Sequence, residues 1–269
     1  MKLINVEGIV ISTIPYKENS KIINIFTKEN GIIGCVAKGA KGLKSKLRLA
    51  SEKFAYAEFN ISYKEQGLST LVEGNVKDYF INIKSDISKI SYLSYICELS
   101  SKVYKECNDN EVYNLMLDAI FKIEEGFNEK VITNILELKF LNYIGINLNL
   151  DECVTCGSKK VATISLEKGG YICAKCRSNE ILVDEKVLKL MRLYYYVDIS
   201  KISNLDIDNS VLNRINEIIS EYYDLYSGVA SKSKSFLKKL EEYYEVNPKY
   251  FTRIKRRFRI ISKSFLILT

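Results

Sequence analysis

The chain contains no histidine in 269 residues. Histidine is the commonest general base and the commonest imidazole metal ligand. Its absence excludes Ser-His-Asp and Cys-His nucleophilic sites together with every His-ligated metal centre. No run of about 18 apolar residues occurs either, so no segment reads as a membrane-spanning helix. The opening residues do not read as a secretory signal, because Asn5 and Glu7 interrupt the apolar stretch and Gly8–Ile14 then reads as a strand. Seven cysteines, four of them in close pairs, do not form a disulfide framework, and a reducing, cytoplasmic compartment is expected.

Acidic residues are absent from one region and dilute in another. Residues 246–269 carry Lys249, Arg253, Lys255, Arg256, Arg257, Arg259 and Lys263 with no carboxylate. Residues 1–80 hold twelve basic and eight acidic side chains, whereas 81–245 are net acidic. The overall charge of +7 is therefore local, and any polyanion site must be local too. Hydrophobic residues at 47% and charged residues at 27% suit a folded chain with a real core.

Residues 1–80 read as β-structure. Apolar runs recur at Val6–Ser12, Lys21–Thr27, Ile32–Ala37, Phe54–Tyr63 and Leu68–Val76, separated by turns such as Glu29-Asn30-Gly31 and Glu65-Gln66-Gly67. Ala55, Ala57, Phe59, Ile61 and Tyr63 alternate with polar partners. Five short strands in so few residues favour a closed barrel of the OB type, since closure removes exposed edges. From about residue 85 the period becomes helical: Val112, Leu115, Met116, Ala119, Ile120 and Ile123 share a face. Val131–Ile144 is apolar nearly all round and predicts a buried helix stopped by Gly145. Further helices are expected at Glu185–Tyr196 with Asp184 as N-cap, and at Val211–Tyr226 capped by Asn209 or Ser210. Their last member is Ser235–Tyr244. For Val211–Tyr226 the inward stripe is Leu212, Ile215, Ile219, Tyr222 and Tyr226. The expected fold is α+β: an OB barrel over 1–80, a helical domain over 81–245 with an insert at about 150–180, and a basic tail over 246–269.

That insert holds Cys153-Val-Thr-Cys156 and, after sixteen intervening residues, Cys173-Ala-Lys-Cys176. Paired C-x2-C elements at this spacing can set four thiolates around one zinc ion at about 2.3 Å each. Gly157 and Gly169-Gly170 supply backbone freedom, and Lys159, Lys160, Lys175 and Arg177 offset thiolate charge. Four protein ligands leave no open coordination position, so the expected role is structural. Cys35, Cys97 and Cys107 lack partners at ligand spacing and read as small core residues.

The segment Ala37-Lys38-Gly39-Ala40-Lys41-Gly42-Leu43-Lys44-Ser45-Lys46-Leu47-Arg48 carries five cations in the eleven positions 38–48 and no acid. Positive charge, a hydroxyl and flexible glycines suit a loop that tracks phosphates without reading bases. Its candidate DNA-binding residues are Lys38, Lys41, Lys44, Ser45, Lys46 and Arg48. Tyr56 and Tyr63 are candidate stacking platforms. Tyr194-Tyr195-Tyr196 and Tyr222-Tyr223 read as helix residues straddling core and surface. No nucleophile, base and pocket come together, so no enzyme is expected. A zinc-ribbon interaction adaptor that does not touch DNA is the competing reading.

The chain resembles RecO, a bacterial recombination-mediator family. The resemblance rests on Glu7-Gly8-Ile9-Val10, Phe26-Thr27-Lys28-Glu29-Asn30-Gly31, Ala37-Lys38-Gly39-Ala40-Lys41 with Lys44-Ser45, and Leu136-Glu137-Leu138-Lys139-Phe140-Leu141. It continues through Cys153-Val154-Thr155-Cys156-Gly157, Gly169-Gly170-Tyr171-Ile172-Cys173 and Lys234-Ser235-Phe236-Leu237. It implies an OB domain, a helical domain and a zinc ribbon. It also implies a protein that binds single- and double-stranded DNA, anneals complementary strands and works with RecR to load RecA onto DNA coated by single-strand-binding protein. The acidic C-terminal tail of single-strand-binding protein would dock on the helical domain, where Lys139 is a candidate contact. Lys41 stands where the family often has arginine, and 246–269 matches nothing in the family.

Overall fold

A computed structural model describes residues 2–203, 207–227 and 232–246. The basic tail expected over 246–269 lies, beyond Val246, outside the described residues.

The five expected strands form. They are β1 (Lys2–Tyr16), β2 (Ser20–Thr27), β3 (Gly31–Ala37), β4 (Tyr56–Tyr63) and β5 (Ser69–Asp78). They close into a barrel in the order β1-β2-β3-β5-β4. Closure depends on β1, which at 15 residues is long enough to serve two neighbours. Its first half pairs with β4, from Lys2↔Tyr63 to Ile9↔Tyr56, and its second half with β2, from Gly8↔Thr27 to Tyr16↔Ser20. A bulge between Val10 and Ser12 adds the local bend. The short parallel pairing of β3 with β5, Cys35↔Ser69 and Val36↔Thr70, seals the cylinder. This Greek-key closure is that of an OB barrel.

Gly8 and Ile9 are in register with β2 on one side of β1 and β4 on the other, and there the strands crowd. A Cβ on Gly8 would lie 2.6 Å from the Phe26 carbonyl oxygen and 2.8 Å from Ile25 Cγ2. The barrel fills as its alternation predicts, with Val6, Val10, Ile23, Ile25, Ile33, Cys35, Ala57, Phe59, Ile61 and Leu71 buried inside. A four-residue helix, α1 (Leu47–Ala50), takes in the end of the basic segment at Arg48 and sends Ala50 into the same core. On the outer side of β2, Phe26 is fully buried against Tyr104 and Tyr113, with ring centroids at 5.0 and 5.5 Å.

Helices come next: α2 (Ile81–Lys84), α3 (Ile87–Cys107), α4 (Glu111–Glu124), α5 (Glu129–Tyr143), α6 (Glu185–Tyr196), α7 (Asn209–Tyr222) and α8 (Lys232–Val246). The described chain divides into two compact units, one up to Asn114 together with the residues from Ser233, the other Leu115–Lys232. In the first, α8 returns to α3: Tyr92 donates to the Glu241 carboxylate, and Glu98 accepts from the Ser233 N–H. In the second, α5, α6 and α7 pack together. Helix α5 is buried from Val131 to Leu138 and again at Phe140 and Leu141, as expected, and its chain reverses at Gly145 with φ +83°. Asn128 caps it by accepting from the Lys130 and Val131 N–H groups.

Two expectations about α7 are corrected. It starts at Asn209 with Asp208 in the N-cap position, earlier than Asn209 or Ser210 as cap implied. It also ends as a single π turn, Tyr223–Ser227. The wider turn rotates the residues within it relative to the helix. Tyr226 is 48% exposed as a result, while Tyr223 takes an inward place and donates to the Glu137 carbonyl. Cys35 and Cys97 are buried as expected, whereas Cys107, in the last turn of α3, is only half-buried. The sequence pattern gives no specific expectation for α3. Its apolar residues are interspersed with buried Ser91, Ser100 and Tyr92, which blurs the helical stripe.

Replacing Gly8 with alanine forces a shift of β1 against the β2 backbone, and overpacking of this kind costs about 1–3 kcal/mol. The G8A chain is expected to unfold at lower urea than wild type; an unchanged midpoint contradicts the crowding at this crossing.

Candidate metal centre and nucleic-acid interface

The four cysteines assemble from two tight turns. In the first, the Cys153 N–H donates to Ser158 O and its carbonyl accepts from the Gly157 N–H at 2.8 Å. In the second, the Cys173 carbonyl accepts from Cys176 and Arg177 at 3.2 and 3.1 Å. A two-stranded ribbon, β6 (Thr163–Ser165) against β7 (Gly170–Ile172), brings the turns together. Gly170 allows this approach, since a Cβ there would meet Asn149 O at 2.4 Å and Val154 Cγ1 at 2.7 Å. Tyr171 donates to the Leu188 carbonyl of α6, and Tyr222 of α7 donates to Ser165 O at 3.1 Å. The ribbon is thereby fixed to the helices of its own unit.

All four Sγ atoms lie within 4.8 Å of one another, and Cys156 Sγ is 3.7 Å from Cys173 Sγ. A tetrahedral ion with sulfurs at about 2.3 Å sets them about 3.8 Å apart, so the donor set fits one ion. The sulfurs also press on one another electrostatically. Burial opposes ionisation of Cys153, but N–H donors of Cys173, Thr155 and Cys156 outweigh it and bring the thiol down to about 6. Cys176 is pushed up to about 12 because it serves as neutral donor to Cys156 and Cys173. A cation resolves that conflict by allowing all four to be thiolates. Of the nearby cations, Lys159 is paired with Glu152 at 2.9 Å and Arg177 donates to Glu180 O at 2.8 Å.

Beside the first turn, Leu148, Asn149, Asp151, Glu152, Lys159, Arg192 and Tyr196 line an open cleft that the sequence did not single out. Its charges cancel internally: Arg192 meets Asp151 at 2.7 Å, Tyr196 donates to the same carboxylate at 2.7 Å, and Lys159 meets Glu152. Lys139 is half-buried and donates to Tyr195 O at 3.3 Å; burial lowers its ammonium pKa.

The basic segment leaves the barrel between β3 and β4. Lys38, Lys41, Lys44, Lys46 and Arg48 are all exposed, whereas Ala40 is fully buried and roots the loop. Successive turns hold its course, with Gly42 N–H to Gly39 O, Ser45 N–H to Gly42 O and Arg48 N–H to Ser45 O, each at 3.1 Å. Ser45 Oγ accepts from the Leu47 N–H at 3.3 Å and so helps start α1. Lys41 has another task. Its N–H donates to Asn19 O at 3.1 Å, and its ammonium donates to Lys17 O at 3.0 Å and Glu18 O at 3.2 Å. It ties the loop to the β1–β2 turn and brings Lys17 and Tyr16 alongside, with the Lys17 ammonium 5.4 Å from the Tyr16 ring centre. Nothing in the local sequence linked residues 16–19 to 38–48; only barrel closure does.

Two other cations of the barrel are neutralised: Lys21 by Glu52 at 2.7 Å, and Lys77 by Glu7 and Glu58 at 2.7 and 2.8 Å. Among the described residues, Lys38, Lys44, Lys46 and Arg48 have no carboxylate partner. The stacking candidates fare less well. Tyr56 is buried, stacked on Phe80 at 6.3 Å and bonded to the Glu7 carboxylate, because β4 turns it under the helical cover. Tyr63 is half-buried against the barrel core. Tyr194, Tyr222 and Tyr223 are buried core residues, while Tyr196 is exposed.

Residues 1–80 match the family described as Recombination protein O N terminal, and residues 84–235 match Recombination protein O C terminal. The chain is 34% identical over 240 residues to the DNA repair protein RecO of Halalkalibacterium halodurans, covering 87% of this chain and 94% of that one. It is 34% identical over 244 residues to the protein of the same name from Bacillus pumilus, covering 89% and 95%. The protein of that name from Listeria monocytogenes is 33% identical over 242 residues, covering 88% and 94%.

The cluster is expected to hold one metal ion per chain. Because protons compete for the thiolates, affinity should fall as pH falls. Elemental analysis of Cys173→Ser should find the ion lost; full metal content in that variant contradicts the assignment.

Proposed function

The chain belongs to the RecO family of bacterial DNA repair proteins, and from that premise we propose that it is a DNA-binding recombination mediator whose barrel loop holds the phosphate backbone. The observation that carries the reading is the uncompensated charge of Lys38, Lys44, Lys46 and Arg48 on a loop with an ordered course. Such a loop supplies charge and donors to phosphates without base-reading geometry. Ser45 keeps a hydroxyl proton to donate, and Lys41 positions the loop. The RecO resemblance extends the proposal to both single- and double-stranded DNA and to strand annealing. It extends further to joint work with RecR that loads RecA onto DNA coated by single-strand-binding protein, all in the bacterial cytoplasm and without catalytic turnover.

The division of labour we infer is a DNA-binding barrel over 1–80, a helical partner-binding domain over 81–245 with its ribbon at about 150–180, and a basic tail over 246–269. Helical-domain residues, Lys139 among them, are proposed to receive the acidic tail of single-strand-binding protein. The ion proposed for Cys153, Cys156, Cys173 and Cys176 is zinc. Thiolates favour it, tetrahedral sulfur geometry suits it, and with four protein ligands it would brace the ribbon and take no part in a reaction.

Each phosphate contact to a single strand adds about −0.7 to the slope of log affinity against log salt. Four free cations give a slope of about −2.8. Anisotropy titrations of a labelled single-stranded oligonucleotide should find that value for wild type. The Lys38→Ala, Lys44→Ala, Lys46→Ala triple variant should retain only about −0.7. Equal slopes in the two proteins would remove the loop from the DNA-binding surface.

A further inference from the structure

Phosphate contacts leave one feature of the 38–48 loop unused. Leu43 is 83% exposed, more than any other large apolar side chain among the described residues. Single exposed leucines are ordinary on protein surfaces, but this one stands at a particular place. It lies between Gly42 and Lys44, on the stretch framed by the Gly42 N–H to Gly39 O and Ser45 N–H to Gly42 O bonds. Lys41, one step before that pair, is fastened to the β1–β2 turn through its N–H and its ammonium. Buried Ala40 and Ala50 root the loop and the helix that follows it. The leucine is therefore held out into solvent by a fixed backbone. A second apolar side chain, Leu49, is 57% exposed next to Arg48.

The charge around Leu43 identifies what meets it. Five cations and no acid occur within 38–48, and none of the five has a carboxylate partner among the described residues, Lys41 bonding only to the backbone carbonyls of Lys17 and Glu18. A ligand must then offer closely spaced anions together with apolar faces. A single strand of DNA does, with phosphates outside and base faces between them. We propose that Leu43 is an apolar wedge that enters between adjacent bases of a single strand whose phosphates the neighbouring cations hold. Apolar side chains used in this way unstack a base step. A duplex resists such entry more than a single strand, so the wedge makes the loop favour unpaired DNA. This inference rests on the DNA-binding reading of the same loop.

The test is a fluorescence titration of a single-stranded oligonucleotide carrying 2-aminopurine between two adenines, with the full chain as wild type, Leu43→Ala and Leu43→Met. Leu43 is exposed, so neither substitution disturbs the core, and matched thermal melts check this. Unstacking by wild type raises the 2-aminopurine emission. Leu43→Ala is expected to bind about tenfold more weakly, a loss in the range for side chains that stack on bases. It should show no emission rise and an unchanged salt slope, because no charge is removed. Leu43→Met should retain both affinity and emission. If Leu43→Ala binds within about twofold of wild type and raises emission equally, the wedge is overturned while phosphate binding by the loop stands. If folded wild type binds no oligonucleotide at all, the DNA-binding reading falls and the wedge falls with it.

Discussion

A five-stranded sheet of this size has two edges to hide, and β1 hides them by belonging to both sides of the barrel. The strand can do so because Gly8 lets it cross β2 at backbone distance and the bulge after Val10 turns its second half. Once β1 is shared, β3 and β5 meet in parallel, and the chain leaving β3 must cross the end of the barrel to reach β4. The basic loop and α1 make that crossing. The backbone carbonyls of the β1–β2 turn lie within reach of the Lys41 ammonium for the same reason. Charge placement is thus a consequence of closure: the cations are displayed on a rim whose course is fixed by main-chain bonds.

The unit formed by Leu115–Lys232 solves a different problem. Its helices have an apolar seam centred on α5, but the stretch between α5 and α6 holds little regular structure of its own. Two strands of three residues each and four thiols occupy it. Short ribbons of this kind are marginal without a cross-link, and an ion shared by the four thiols would supply one. Tyr171 and Tyr222 then carry the rigidity of the ribbon into α6 and α7 through hydrogen bonds to backbone carbonyls.

Much of this was legible in the sequence. Strand alternation such as Ala57, Phe59 and Ile61 marks the barrel, because period two and one buried face leave a plain pattern. The C-x2-C pairs mark the metal centre, because ligand geometry dictates spacing. Helix α6 is legible to the residue, since Asp184 caps it through the Lys186 N–H. What escapes are contacts made by distant segments. Lys41 reads as one more phosphate ligand, and only the folded barrel brings the carbonyls of residues 17 and 18 to it. Tyr56 reads as a stacking platform, yet Phe80, well along the chain, covers it. The π turn after α7 leaves no mark in the apolar spacing, so regular helical spacing turns Tyr226 inward where the structure exposes it.

We propose that DNA sits on the barrel rim formed by 38–48 and the 16–19 turn. Hydrogen–deuterium exchange of the full chain with and without a single-stranded oligonucleotide examines it most directly. Slowed exchange is expected at the amides of 38–48 and 16–19, with little change in the four-cysteine ribbon. Protection confined to the ribbon or the helices of Leu115–Lys232, with the rim unaffected, would contradict it.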